Sequence, residues 1–155
     1  MAQKSSLLNI LLRMALGLFF FITGVIKAGD LDAFTEDVFN YQLLFPPYDA
    51  YAAYLVAWLE IIAGAVLAIG LWGRRGALVL IAGMLVTFIG ALSSAAARGL
   101  NINCGCFGAS DEPTNFPFHI GLNSVLLLIT FYLLWQEFRR GRGHLFKADR
   151  LVLPE

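Results

Sequence analysis

Residues 50–72 read AYAAYLVAWLEIIAGAVLAIGLW, an apolar run interrupted by one ionisable residue, Glu60. A helix needs about 20 mostly apolar residues to cross a bilayer. This run is long enough, and it shows no broad polar face of the kind a helix packed in a soluble bundle turns to water. Three other stretches read the same way. Leu7–Ala28 carries Arg13 and ends at Lys27, Gly76–Ala97 has no ionisable residue, and Phe118–Trp135 precedes a basic tail over 141–155. The sequence therefore predicts an all-α fold: an integral membrane four-helix bundle over residues 1–140.

Composition points the same way. Of 155 residues, 59% are hydrophobic and 14% charged, against roughly 45–50% and about 25% in soluble domains. Eleven basic residues cancel eleven acidic ones. Disorder, collagen, coiled coil and a strongly basic nucleic-acid binder are excluded on these grounds. The expected surroundings are a lipid bilayer, with no nucleic acid as partner. The first segment is expected to be a retained span. Its apolar core is too long for a signal peptide, and no small-x-small cleavage site precedes Lys27. No lipid-attachment motif is visible.

Lysine and arginine placement predicts orientation. Lys4, the Arg74-Arg75 turn, and Arg139, Arg140, Arg142, Lys147 and Arg150 fall on one side of four spans. Asp30, Asp32, Glu36, Asp37, Asp49, Asp111 and Glu112 fall on the other, where the only cations are Lys27 and Arg98 at span edges. Both termini are thus expected in the cytoplasm and both long loops outside. In the first loop, Leu31, Phe34, Val38, Tyr41 and Phe45 recur at helical spacing. An amphipathic helix is expected there, capped by Asp30 or Asp32 and stopped by Pro46 and Pro47.

Both cysteines lie in the second outer loop, as Asn103-Cys104-Gly105-Cys106-Phe107-Gly108. Outside the cell, paired thiols form a disulfide or bind metal. A bridge over one residue is cramped, since Cα atoms of ordinary disulfides lie about 5.5–6 Å apart. Gly105 permits the bend that closes it. Such a short loop contributes little as a staple, and strained, exposed disulfides are the labile ones. The spacing favours redox exchange through Cys104 and Cys106. Metal binding with His119 as a third ligand for a soft ion such as Cu(I) stays open, but a zinc site lacks a fourth ligand. So does a structural or incidental role. His119 lies at the start of the fourth span and can assist thiolate formation if it lies near the pair.

Arg13 and Glu60 are charges inside apolar spans, where they are costly unless paired. Counted from the outer boundary they lie about 22 Å and about 15 Å deep at 1.5 Å per residue. Two pairings are open for Glu60: Arg13, whose long side chain bridges much of that gap, or Lys27. Lys27 follows Arg13 by close to four turns and shares its helix face. Gly17 and Gly24 lie near that face, where small residues permit close helix approach. These charges either fix packing or act on a ligand head group, such as a quinone carbonyl, or relay a proton.

The ordered motifs carry a resemblance. Arg13-x-x-x-Gly17, Phe21-x-x-Gly24-x-x-Lys27, Tyr41-x-Leu43-Leu44 with Pro46, and Trp58-Leu59-Glu60-x-x-x-Gly64-x-x-Leu67-x-x-Gly70 look like the first half of DoxX-like membrane proteins. Cys104-Gly105-Cys106-Phe107-Gly108 is similar to the hallmark of their MauE branch, the methylamine utilisation proteins. Asn103 departs from the acidic residue expected before the first cysteine. The resemblance covers roughly residues 8 to 136. It implies a bundle distantly like the vitamin K epoxide reductase and bacterial disulfide-oxidase folds, in the cell inner membrane, with the cysteine loop periplasmic. It also implies disulfide chemistry in the maturation of a periplasmic redox enzyme such as methylamine dehydrogenase. The implied partner is a thioredoxin-like periplasmic protein or that client enzyme. Quinone is the one cofactor in view. The disulfide oxidases pass electrons through a second cysteine pair that this chain lacks. The rival readings are a non-catalytic assembly, anchoring or metal-delivery subunit, and a quinone-linked respiratory subunit of the DoxX type.

Overall fold

The computed structural model describes the backbone of residues 2–70, 73–100, 102 and 115–149, and the side chains of 7–70, 73–100, 102 and 115–139. Every regular element among them is helical: α1 (Ala2–Gly29), α2 (Leu31–Asn40), α3 (Tyr48–Ile69), α4 (Arg74–Ala97) and α5 (Phe116–Asp149). Four of these contain stretches long and apolar enough to cross a membrane: Leu7–Gly29, Tyr48–Ile69, Arg74–Ala97 and Phe116–Arg139.

Local chemistry explains where the elements differ from the sequence reading. α3 stops at Ile69, short of Trp72, because Gly70 adopts the left-handed conformation (φ 80°) and its N–H closes back on the Val66 carbonyl. That is the usual glycine helix stop. α5 starts at Phe116 because the Asn115 side chain accepts the Phe118 N–H at 3.2 Å, the geometry of an N-cap. Its helical backbone runs on to Asp149, into the segment read as a tail. α2 is capped by Asp30, whose carboxylate accepts the Ala33 N–H at 3.1 Å. The prolines do not end it. It stops at Asn40, and Gln42 reverses the chain with φ 52°. Pro47 instead stands at the N-cap of α3, where the missing N–H costs nothing.

The tightest contact in the bundle is between α1 and α3. A Cβ built on Gly17 would lie 2.5 Å from the Ala68 nitrogen, and one on Gly24 would lie 2.8 Å from the Ile61 nitrogen. A Cβ on Gly64 would run into the Phe21 backbone. Backbone meets backbone along this seam, as small residues allow in membrane helices. The partners fix an antiparallel register: 17 against 68 and 64, 24 against 61. α4 packs on α3, α5 on α4, and α1 and α5 touch only lightly. The core between them is Leu16, Phe20, Leu67, Leu78, Ile81 and Leu85 with Leu133 and Leu134. Leu18, Ile22, Ile62, Val79, Val86 and Leu128 point outward and stay exposed, which suits hydrocarbon and not water.

Gly17→Leu should force the α1–α3 backbones apart at a cost of about 3 kcal/mol, the upper end for overpacking. A Cβ at Gly83 in α4 meets nothing within 4 Å, so Gly83→Ala should be neutral or raise stability by up to about 1 kcal/mol. Unfolding of the two variants in detergent checks both.

Candidate functional site

The register carries Lys27, on the last turn of α1, to Glu60 in the middle of α3. Lys27 Nζ lies 2.6 Å from Glu60 Oε1, and the two side chains are 3% and 1% exposed. Glu60 Oε2 accepts from the Thr23 hydroxyl at 3.3 Å. That hydroxyl also lies 3.1 Å from the Phe20 carbonyl. The ammonium is bracketed by two rings, 5.2 Å from the Phe34 centroid and 5.1 Å from that of Phe88. Both distances are within cation–π range. An uncompensated charge at this depth would be costly. Here α1, α2, α3 and α4 each supply a group that stabilises the pair.

Two spaces flank it. Under α2 lies an apolar cavity of about 150 Å³, walled by Phe34, Val38, Leu44, Val56, Phe88 and Leu92, with Lys27 on its lining. On the side of α5 lies a void of about 20 Å³ between Thr23, Lys27, Glu60, Phe88, His119 and Asn123, room for one water molecule. His119 stacks edge-on against Phe118, with centroids 5.3 Å apart. Its carbonyl accepts from the Asn123 side chain at 2.8 Å. Glu60, Lys27 and His119 thus line one small void.

Of the residues singled out in the sequence, Lys27, Glu60 and His119 come together. Of the two pairings open for Glu60, the close contact is with Lys27. Arg13 is elsewhere, and an Arg13–Glu60 pair is not formed. Its guanidinium packs on Gly70, where a Cβ would lie 2.8 Å from Nη2. Ten residues separate Gly70 from Glu60, about 15 Å along a helix at 1.5 Å per residue. Depth alone suggested the Arg13 pairing, and the glycine-set register rules it out. Cys104 and Cys106 lie outside the described residues. Their loop leaves α4 after Arg98 and enters α5 near His119. Arg98 donates to the Tyr41 carbonyl, so the end of α4 is tied to the end of α2. Among the described residues no cluster of three or more His, Cys, Asp or Glu could hold a metal.

Sequence reasoning missed Thr23, Phe88 and the tie from Arg98 to Tyr41. Thr23 had a signal, since it stands four residues before Lys27 on the same face. Phe88 had none, because its role depends on how α4 packs. It placed Asp37 among the outer-loop acids but missed that this residue of α2 is buried, with an Oδ2 that has no hydrogen-bond partner among the described residues. Burial, with a smaller contribution from the neighbouring Glu36 charge, lifts its carboxyl from 3.8 to about 6.

The family model for methylamine utilisation protein MauE matches residues 5–136. The chain belongs to that family and is a membrane protein of it. No curated protein and no solved structure matches.

The Asp37 environment has a pH consequence. A folded-state pKa raised above the unfolded value favours the protonated acid, so its contribution is full below about pH 4 and lost as pH rises through about 6. Thermal unfolding should therefore show wild type losing stability relative to Asp37→Asn between pH 4 and 7. Parallel profiles would contradict this.

Proposed function

Proceeding from membership of the MauE family, we propose that the protein is a thiol–disulfide redox component of the cell inner membrane. It supports disulfide formation or maturation of a periplasmic redox enzyme of the methylamine dehydrogenase kind. The observation that carries this reading is a convergence at one end of the bundle. The helix ends that hold the Cys-Gly-Cys loop, the buried Lys27–Glu60 pair and His119 all belong to the half roofed by α2. Arg74 and Arg75 meet Glu137 at the opposite end. Under the positive-inside rule that end is cytoplasmic and the cysteine loop periplasmic.

The exchange runs as follows. A partner thiolate attacks one sulfur of the Cys104–Cys106 bridge. One S–S bond forms as the other breaks, and the displaced cysteine leaves as a thiolate. The partner's second thiolate then releases the other cysteine. The partner dithiol is oxidised to a disulfide, and the Cys104–Cys106 pair takes up two electrons and two protons. The reverse sequence oxidises the pair. A thioredoxin-like periplasmic protein suits the partner role. His119, at the root of the loop, takes up and returns the thiol proton, and the void links it to Glu60.

On this reading a quinone ring is the candidate occupant of the cavity under α2, whose volume of about 150 Å³ leaves a longer tail outside it. The walls are apolar and aromatic, and the Lys27 ammonium is a donor for a ring carbonyl. Such a cofactor, when bound, would supply the electron acceptor or donor for the pair. A non-catalytic anchoring or metal-delivery role would leave the cysteines without exchange.

Cys106→Ser in the full-length chain should trap a mixed disulfide with a periplasmic thiol protein, identified after alkylation without reductant. Glu60→Gln should insert normally but slow exchange at least tenfold. No trapped adduct together with full alkylation of both cysteines in native membranes would contradict the exchange reading. Unchanged exchange in Glu60→Gln would remove Glu60 from it.

A further inference from the structure

At the end of the bundle away from the cysteine loop lies a second, polar cavity of about 320 Å³. It lies at the small-molecule end of the usual range, about 300–1,000 Å³. Its walls come from four helices: Asn9, Ile10 and Arg13 of α1, Gly70 at the end of α3, Arg74 and Leu78 of α4, and Leu133, Gln136 and Glu137 of α5. α1 and α5 touch only lightly, so the cavity occupies the cleft between them.

Its polar groups are incompletely partnered. Asn9 is 8% exposed, and its Oδ1 has no hydrogen-bond partner. Nε of Arg13 is buried and also without one. Among the described residues Arg13 finds no carboxylate within ion-pair reach, and Arg74 reaches Glu137 only at 3.9 Å. Two guanidinium groups against one carboxylate leave one positive charge. Buried polar groups are ordinarily satisfied, and orphans grouped in one cavity point to a ligand that satisfies them.

We propose that this cavity binds the phosphate-bearing headgroup of an anionic phospholipid. Guanidinium groups match phosphate oxygens in charge and geometry. The unpartnered Asn9 oxygen requires a donor, which a headgroup hydroxyl supplies. The one unit of excess charge matches a phosphodiester monoanion. The location fits as well. Arg74 starts its span and Glu137 stands near the end of another, so the cleft opens at headgroup depth beside lipid. Basic pockets between spans are recognised lipid headgroup sites. The ligand would close the light α1–α5 contact and hold the bundle shut at this end.

The test is thermal unfolding of full-length protein in neutral detergent with added phosphatidylglycerol, phosphatidylcholine or inorganic phosphate. Phosphatidylglycerol should raise the unfolding temperature saturably, and phosphatidylcholine and inorganic phosphate should not. Arg13→Gln and Arg74→Gln should each raise the half-saturating lipid fraction at least tenfold, and Asn9→Ala at least threefold. Arg139→Gln, a cation at the same end but outside the cavity, should leave it unchanged. Arg74 lies at the rim with its side chain 38% exposed, so its variant carries the test if Arg13→Gln does not accumulate. An equal response to phosphatidylcholine, or an unchanged response in Arg74→Gln and Asn9→Ala, overturns the proposal. Stabilisation by inorganic phosphate alone overturns the lipid assignment.

Discussion

The contact between Lys27 and Glu60 is the constraint on which the rest of the structure depends. Two charges lie at 2.6 Å with almost no exposure, within helices otherwise built for hydrocarbon. Either charge alone would be costly there. Their meeting requires α1 and α3 to lie antiparallel in one register and close enough for a lysine to reach across. Gly17, Gly24 and Gly64 supply that closeness. The glycines set how near the helices come, and the ion pair penalises every register but one. This is the specifying use of a buried polar pair. The packed neighbours follow from it. Phe34 brings α2 down over the ammonium, and Phe88 brings α4 against it.

The same register divides the molecule into two ends of different chemistry. Antiparallel pairing that places Lys27 on Glu60 must place Arg13 on Gly70, near the other end of α3. One end holds acidic residues, α2, the ion pair and the root of the cysteine loop. The other holds Arg74 and Arg75 against Glu137, and Arg13 on the wall of an under-satisfied polar cavity. A chain of zero net charge is thus strongly polarised along the bundle axis. Thiol chemistry is proposed for one end and lipid headgroup binding for the other.

Much of the fold was legible in the sequence, since bilayer thickness turns helix length into a test that composition alone passes. The four apolar runs, the helix in the first loop and its Asp30 cap all follow from local rules. What was not legible depends on contacts between helices. Counting depth along each span cannot say which neighbour a side chain meets, so Arg13 and Lys27 remained rivals for Glu60. The prolines at 46 and 47 read as a stop for α2, yet Gln42 reverses the chain first and Pro47 begins α3. The site was legible in its charged members and silent in Phe88, whose place is set by α4 packing. The cysteine motif, the sharpest signal in the sequence, lies outside the described residues.

The most direct measurement is a double-mutant cycle on the buried pair, read as unfolding free energy in detergent or bicelles. Lys27→Met and Glu60→Met each leave a charge buried without its partner and should cost about 3–5 kcal/mol. The double variant removes both charges and leaves an apolar seam, so it should recover most of that loss. Additive losses in the double variant, or single variants as stable as wild type, would contradict the claim that this ion pair sets the register of the bundle.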